Sequence, residues 1–115
     1  MMTLDETISL YQRPPLSGVA GEQMVRFLVS CRDLLGTGAL FFGTGHSTLW
    51  VTKDPHYEQH VENPSIRIYS DGTIFEFIYQ ESWQDDSLRR MRAEHIRCEL
   101  EHTRTALTEL LHRLR

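Results

Sequence analysis

Two alternating runs, SIRIYS and TIFEFIYQ, flank Asp71-Gly72, and this arrangement limits the possible folds more than any other stretch of the chain. Alternation of apolar and polar residues puts side chains on opposite faces of a half-buried strand. Asp-Gly between two such runs is a strong hairpin signal. A two-residue turn there sets Ser70 against Thr73, Ile68 against Phe75 and Ile66 against Phe77, and with Tyr79 these residues make one apolar face. The same register puts Arg67 opposite Glu76 and Tyr69 opposite Ile74, a cross-strand ion pair beside apolar neighbours. Because Tyr69, Ile74 and Ile78 share that second face, it is expected to be covered by a helix or by a partner.

A first hairpin is predicted upstream, in ALFFGTGHSTLWVTK, with Gly43-Thr44-Gly45 between its two runs. Helices precede it. Thr3 followed by Glu6 has the spacing of a capping box, which predicts a short helix from Leu4 to Gln12, ended by Pro14 and Pro15. From Ser17 or Val19 to Leu35, residues Met24, Phe27, Leu28, Cys31 and Leu35 fall on one helical stripe, and Gly36 stands where a left-handed terminating residue is wanted.

From Trp83 to Leu114 there is neither proline nor glycine. The segment therefore reads as one helix of roughly 30 residues, about 45 Å long. Ser82 with Asp85, or Asp86, would cap its start, and Arg113 and Arg115 suit its end. Ile96, Leu100, Thr103, Leu107, Leu110 and Leu114 make a 4-3 seam, which suits either packing within the chain's own core, on the sheet and the helix of residues 19–35, or a homodimer with Leu100, Leu107, Leu110 and Leu114 as the self-association candidates. A second stripe holds Leu88, Met91, His95, Cys98 and His102. The expected whole is a single α+β domain over residues 1–115, in the order α-α-β-β-β-β-α. A short helical arm spans 1–15, and an antiparallel sheet of two hairpins is packed by an N-terminal helix and a long C-terminal helix at 83–115.

Charge is uneven. Residues 1–82 carry five cations and ten carboxylates, net −5, while residues 83–115 carry seven arginines and six carboxylates, net +1. An acidic body argues against phosphate-backbone binding and toward a basic protein partner. Arg89, Arg90 and Arg92 cluster, but Glu94, Glu99 and Glu101 alternate with Arg97 and Arg104 along the same segment, so no nucleic-acid partner is expected. No apolar run is long enough for a membrane span, and MMTLDETISLY lacks the pattern of a secretion signal, so a cytoplasmic protein is expected. Cys31 and Cys98 fall in separate predicted helices and read as free thiols.

The densest group of chemically capable side chains is KDPHYEQHVENP, which places Asp54, His56, Glu58, His60 and Glu62 at alternate positions. Extended or helical, this spacing brings His56 and His60 together, and with Glu58 they would suit zinc in a metal-dependent hydrolase. The ordered His-Glu-x-x-His signature is absent, and a third ligand would have to come from His46 or His95. A polar connection between hairpins accounts for the same residues, so neither metal nor cofactor is expected. The paired GTG motifs at 36–38 and 43–45 lead into strands, which removes a phosphate-loop reading. His46 beside Ser47 and Thr48 offers no nucleophile-base pair, because strand neighbours diverge. Cys98 with His95 and His102 at helical spacing reads as packing.

The expectation is a non-catalytic protein-binding module, a small acidic inhibitor of the immunity-protein or antitoxin kind that neutralises a basic toxin or effector. Its predicted contact residues are Asp54, His56, Tyr57, Glu58, His60, Glu62, Tyr69 and Glu76, with Trp50 and Trp83 as further aromatic anchors. An acidic secretion-type chaperone, a structural homodimeric subunit and a metal-dependent hydrolase at His56, Glu58 and His60 are the alternatives.

Overall fold

The computed structural model describes residues 2–56, 63–81 and 94–114. Helix α1 covers Leu4–Tyr11, α2 Val19–Ser30 and α3 Arg32–Leu35. Strands β1 (Phe41–Gly45), β2 (Thr48–Thr52), β3 (Ser65–Ser70), β4 (Phe75–Gln80) and β5 (Glu94–Cys98) follow. A 3-10 turn at Leu100–His102 leads into α4, Thr103–Leu111. The five strands form one antiparallel sheet in the order β1-β2-β3-β4-β5. The α+β class and the sequence of helices, strands and closing helix are as expected.

Helix α1 begins where the capping box predicts: the Glu6 amide donates to Thr3 Oγ1 at 3.2 Å, and the Thr3 amide donates to Glu6 Oε1 at 3.0 Å. The second predicted helix is broken in two at Cys31, whose φ of −107° and ψ of 18° leave the helical region. Gly36 is not left-handed, its φ being −90°; a Cβ there would stand 2.8 Å from the Arg32 carbonyl oxygen, so close approach is what calls for glycine.

Both hairpins form, and each departs from expectation in its turn. In the first, Gly43, Thr44 and Gly45 belong to β1, and His46-Ser47 make the two-residue turn, with Gly45 paired to Thr48. In the second, Ser70 pairs with Phe75, Ile68 with Phe77 and Ile66 with Tyr79, a slip of two residues from the predicted register. Its cause is the Asp71 carboxylate, which accepts the amides of Thr73 at 2.9 Å and Ile74 at 2.8 Å and so organises a loop over 71–74. Arg67 then lies opposite Ile78, and Glu76 opposite Tyr69. A slip of two keeps every side chain on its own face, so the apolar face is the one foreseen.

The long C-terminal helix is the main correction. Glu94–Cys98 is an edge strand on β4, Leu100–His102 is a 3-10 turn, and only Thr103–Leu111 is α-helical; residues 82–93 lie outside the described residues. EHIRC alternates as well as it fits a helix, and β4 offers it a row of backbone groups that a helix would leave without partners.

Phe42, Leu49, Val51, Ile66, Ile68, Phe75, Phe77 and Tyr79 share the inner face of the sheet and are buried. They form one cluster with Leu4, Ile8 and Tyr11 of α1, Met24, Phe27 and Leu28 of α2, Leu35 of α3, and Ala106, Leu107 and Leu110 of α4. The Phe27 ring stands 5.6 Å from both Phe75 and Phe77. Leu107, Leu110 and Leu114 are thus taken up by the chain's own core, and Leu100 packs partly against it. The seam read as a dimer contact serves α4 on the sheet. Cys31 is buried at the α2–α3 junction and Cys98 is half-buried on β5, both free.

Candidate functional site

All four helices pack on the inner face; on the outer face Trp50, Arg67, Tyr69, Glu76 and Ile78 are half-buried, and His95 and Arg97 are exposed. Register assembles that face in rows. One row runs Gly45, Thr48, Tyr69, Glu76, Arg97; the next runs Gly43, Trp50, Arg67, Ile78, His95.

The glycines of β1 shape the second row. A Cβ on Gly45 would meet Cζ2 of Trp50 at 3.2 Å, so the indole lies where a side chain of β1 would otherwise stand. From the other side the Arg67 guanidinium approaches to 5.1 Å from the indole centroid, and Arg67 Nε donates to Gln80 Oε1. The ring is set between β1 and an arginine that is itself fixed. Trp50 and Arg67 are half-buried.

Glu76 organises the first row. The Tyr69 hydroxyl donates to Glu76 Oε2 at 3.2 Å, His95 Nδ1 lies 3.3 Å from Oε1, and Arg97 Nε lies 3.9 Å from Oε2. The carboxylate side chain is 19% exposed, against 53% for His95 and 68% for Arg97. The hydrogen bond to Glu76, with the charge of that carboxylate, raises the Tyr69 hydroxyl above its ordinary pKa.

Tyr69 and Glu76, both predicted contact residues, are therefore in direct contact on this face. Asp54 and His56 stand at the foot of the β2–β3 connection. Asp54 Oδ1 accepts the His56 amide at 2.8 Å, and Asn63 Nδ2 donates to Asp54 Oδ2 at 2.6 Å, which ties the outgoing chain to the returning one. Tyr57, Glu58, His60 and Glu62 lie outside the described residues, as does Trp83. Among the described residues no group of three His, Cys, Asp or Glu side chains is placed to hold a metal.

The remaining chemical readings lose their geometry. His46 and Ser47 are the turn itself, and the Ser47 carbonyl accepts the Tyr11 hydroxyl at 2.8 Å. His95 and Cys98 point to opposite faces of β5, so the helical His95-Cys98-His102 group does not exist. Arg67 and Arg97 were not foreseen as site residues, and His95 only as a possible third metal ligand. The available signal was Gly43 and Gly45 at strand spacing, which leaves one face of β1 bare beside a tryptophan.

No family model, curated protein or solved structure matches the chain. Among the described residues no helix is long and apolar enough to cross a membrane.

Proposed function

We propose that the chain is a non-catalytic, cytoplasmic protein-binding module of the immunity-protein or antitoxin kind, which neutralises a basic protein partner through the outer face of its sheet. The observation that carries this reading is the arrangement of Trp50, Arg67 and Tyr69. These are the residue types that dominate binding energy at interfaces, and here each is held by a neighbour before any partner arrives. A fixed side chain loses little entropy on binding. Past the ends of the strands come the carboxylates Asp54, Asp71, Glu81 and Glu99 with Lys53, while Arg97 and His95 stand exposed beside Glu76 on β5. An aromatic and arginine centre inside an acidic rim matches the usual anatomy of an interface and steers a basic protein toward it.

The test is native mass spectrometry of the chain co-expressed with the proteins encoded beside it, for wild type and for Trp50→Ala and Tyr69→Ala. A 1:1 complex with a basic protein is expected, weakened by about thirtyfold or more in Trp50→Ala. A complex indifferent to both substitutions, or no basic partner among those proteins, overturns the proposal.

A further inference from the structure

The sheet has two edges, and they differ. On β1 the Phe42 carbonyl accepts the Met2 amide at 2.8 Å, so that edge is already bridged by the chain. On β5, the last strand among the described residues, the backbone groups that face away from β4 can be worked out from the turns. The Asp71 amide donates to the Ile74 carbonyl at 3.2 Å, which makes 71 and 74 a bonded pair. Bonded and non-bonded pairs alternate along an antiparallel ladder. Tyr69 with Glu76 and Arg67 with Ile78 are then bonded pairs, and Phe75, Phe77 and Tyr79 turn their backbone groups to Cys98, Ile96 and Glu94. Among the described residues, the amide and carbonyl groups of His95 and Arg97 are left on the outside. The same alternation, carried from the Gly45–Thr48 closing pair, sends Phe42 outward on β1, as the Met2 bridge confirms.

We propose that the β5 edge takes an extended segment of another polypeptide as a sixth strand, and that this segment alternates acidic and apolar residues. The backbone of His95 and Arg97 supplies the pairing. Their side chains are exposed on the outer face, and the Arg97 guanidinium sets the charge: an acidic residue directly opposite it pairs well, and the His95 ring can hydrogen-bond another. Between them Ile96 points inward and is only partly buried, as are Cys98 and Leu100, so inward residues of the added strand meet apolar surface. A second copy is the poorer occupant. Two β5 strands crossing at Ile96 would set each His95 against the other copy's Arg97, with no carboxylate in either position. This inference concerns the edge and does not depend on the outer-face reading.

The experiment uses the full chain and a synthetic peptide, acetyl-Glu-Val-Glu-Val-Glu-amide, followed by amide NMR. In the proposed pairing the glutamate amides face β5 and the valine amides face away. Binding should shift and protect the His95 and Arg97 amides, survive N-methylation at the valines, and disappear on N-methylation at the glutamates. Arg97→Glu, at an exposed position beside Glu76, should weaken binding about tenfold, with an otherwise unchanged amide spectrum as the check that the variant is folded. A Lys-Val-Lys-Val-Lys peptide should recover it on that variant. Equal binding by the two methylated peptides, indifference to Arg97→Glu, no shift at millimolar peptide, or a dimer that Arg97→Glu dissociates would each overturn the proposal.

Discussion

Arg104 grips Asp33 with both terminal guanidinium nitrogens, Nη1 donating to Oδ1 at 3.0 Å and Nη2 to Oδ2, and so joins α4 to the short α3. This hydrogen-bonded pairing holds the Asp33 carboxyl below its ordinary pKa. A depressed carboxyl stabilises the fold above its ordinary value, and that stabilisation is lost as pH falls through the lower folded value. Asp33→Asn should therefore flatten the acid side of the stability profile below about pH 4 and leave the alkaline side unchanged, as read by urea unfolding across pH. A profile identical to wild type on the acid side would show that the pair contributes nothing.

Tyr11 supplies the opposite limb. Its hydroxyl donates to the Ser47 carbonyl in the β1–β2 turn, and burial pushes the phenol well above its ordinary range. A raised pKa means stabilisation that is complete below the ordinary value and lost as pH rises above it. Tyr11→Phe is expected to cost about 1 kcal/mol near neutrality. It should also soften the alkaline loss of stability above about pH 10. Thermal unfolding at neutral and alkaline pH checks both.

Leu107 is fully buried between α4 and the sheet. Leu107→Ala should cost about 2–5 kcal/mol while the mass in solution stays that of wild type. A change of oligomeric state without loss of stability would instead make Leu107 an intermolecular contact.

Gly45 is the seat of Trp50. Gly45→Val puts branched carbons where the indole lies, and a cost of about 1–3 kcal/mol with a changed near-ultraviolet signal from Trp50 is expected in a Trp83→Phe background. Far-ultraviolet dichroism should be preserved. An unmoved indole signal would mean the ring has another seat.

How much of this was legible depends on the kind of interaction. The capping box of Thr3 and Glu6 and the face shared by Ile66, Ile68, Phe75, Phe77 and Tyr79 follow from neighbours in sequence and from a period of two. Tyr69 and Glu76 could be placed on the outer face for the same reason. Their direct pairing could not, because Asp71 chose a longer turn than Asp-Gly suggests.

By itself, then, the sequence determined that two hairpins form, though not their turns, which of their residues face inward, and that helices and antiparallel hairpins share one core, since these rest on local backbone preference and on hydrophobic period. Tertiary structure decided whether EHIRC is strand or helix, because both patterns fit and only the open edge of β4 breaks the tie. It also decided that Leu107 and Leu110 serve the chain's own core. The setting of Trp50 between Gly45 and Arg67 was decided there as well, since residues from three strands meet only after the sheet has closed its register.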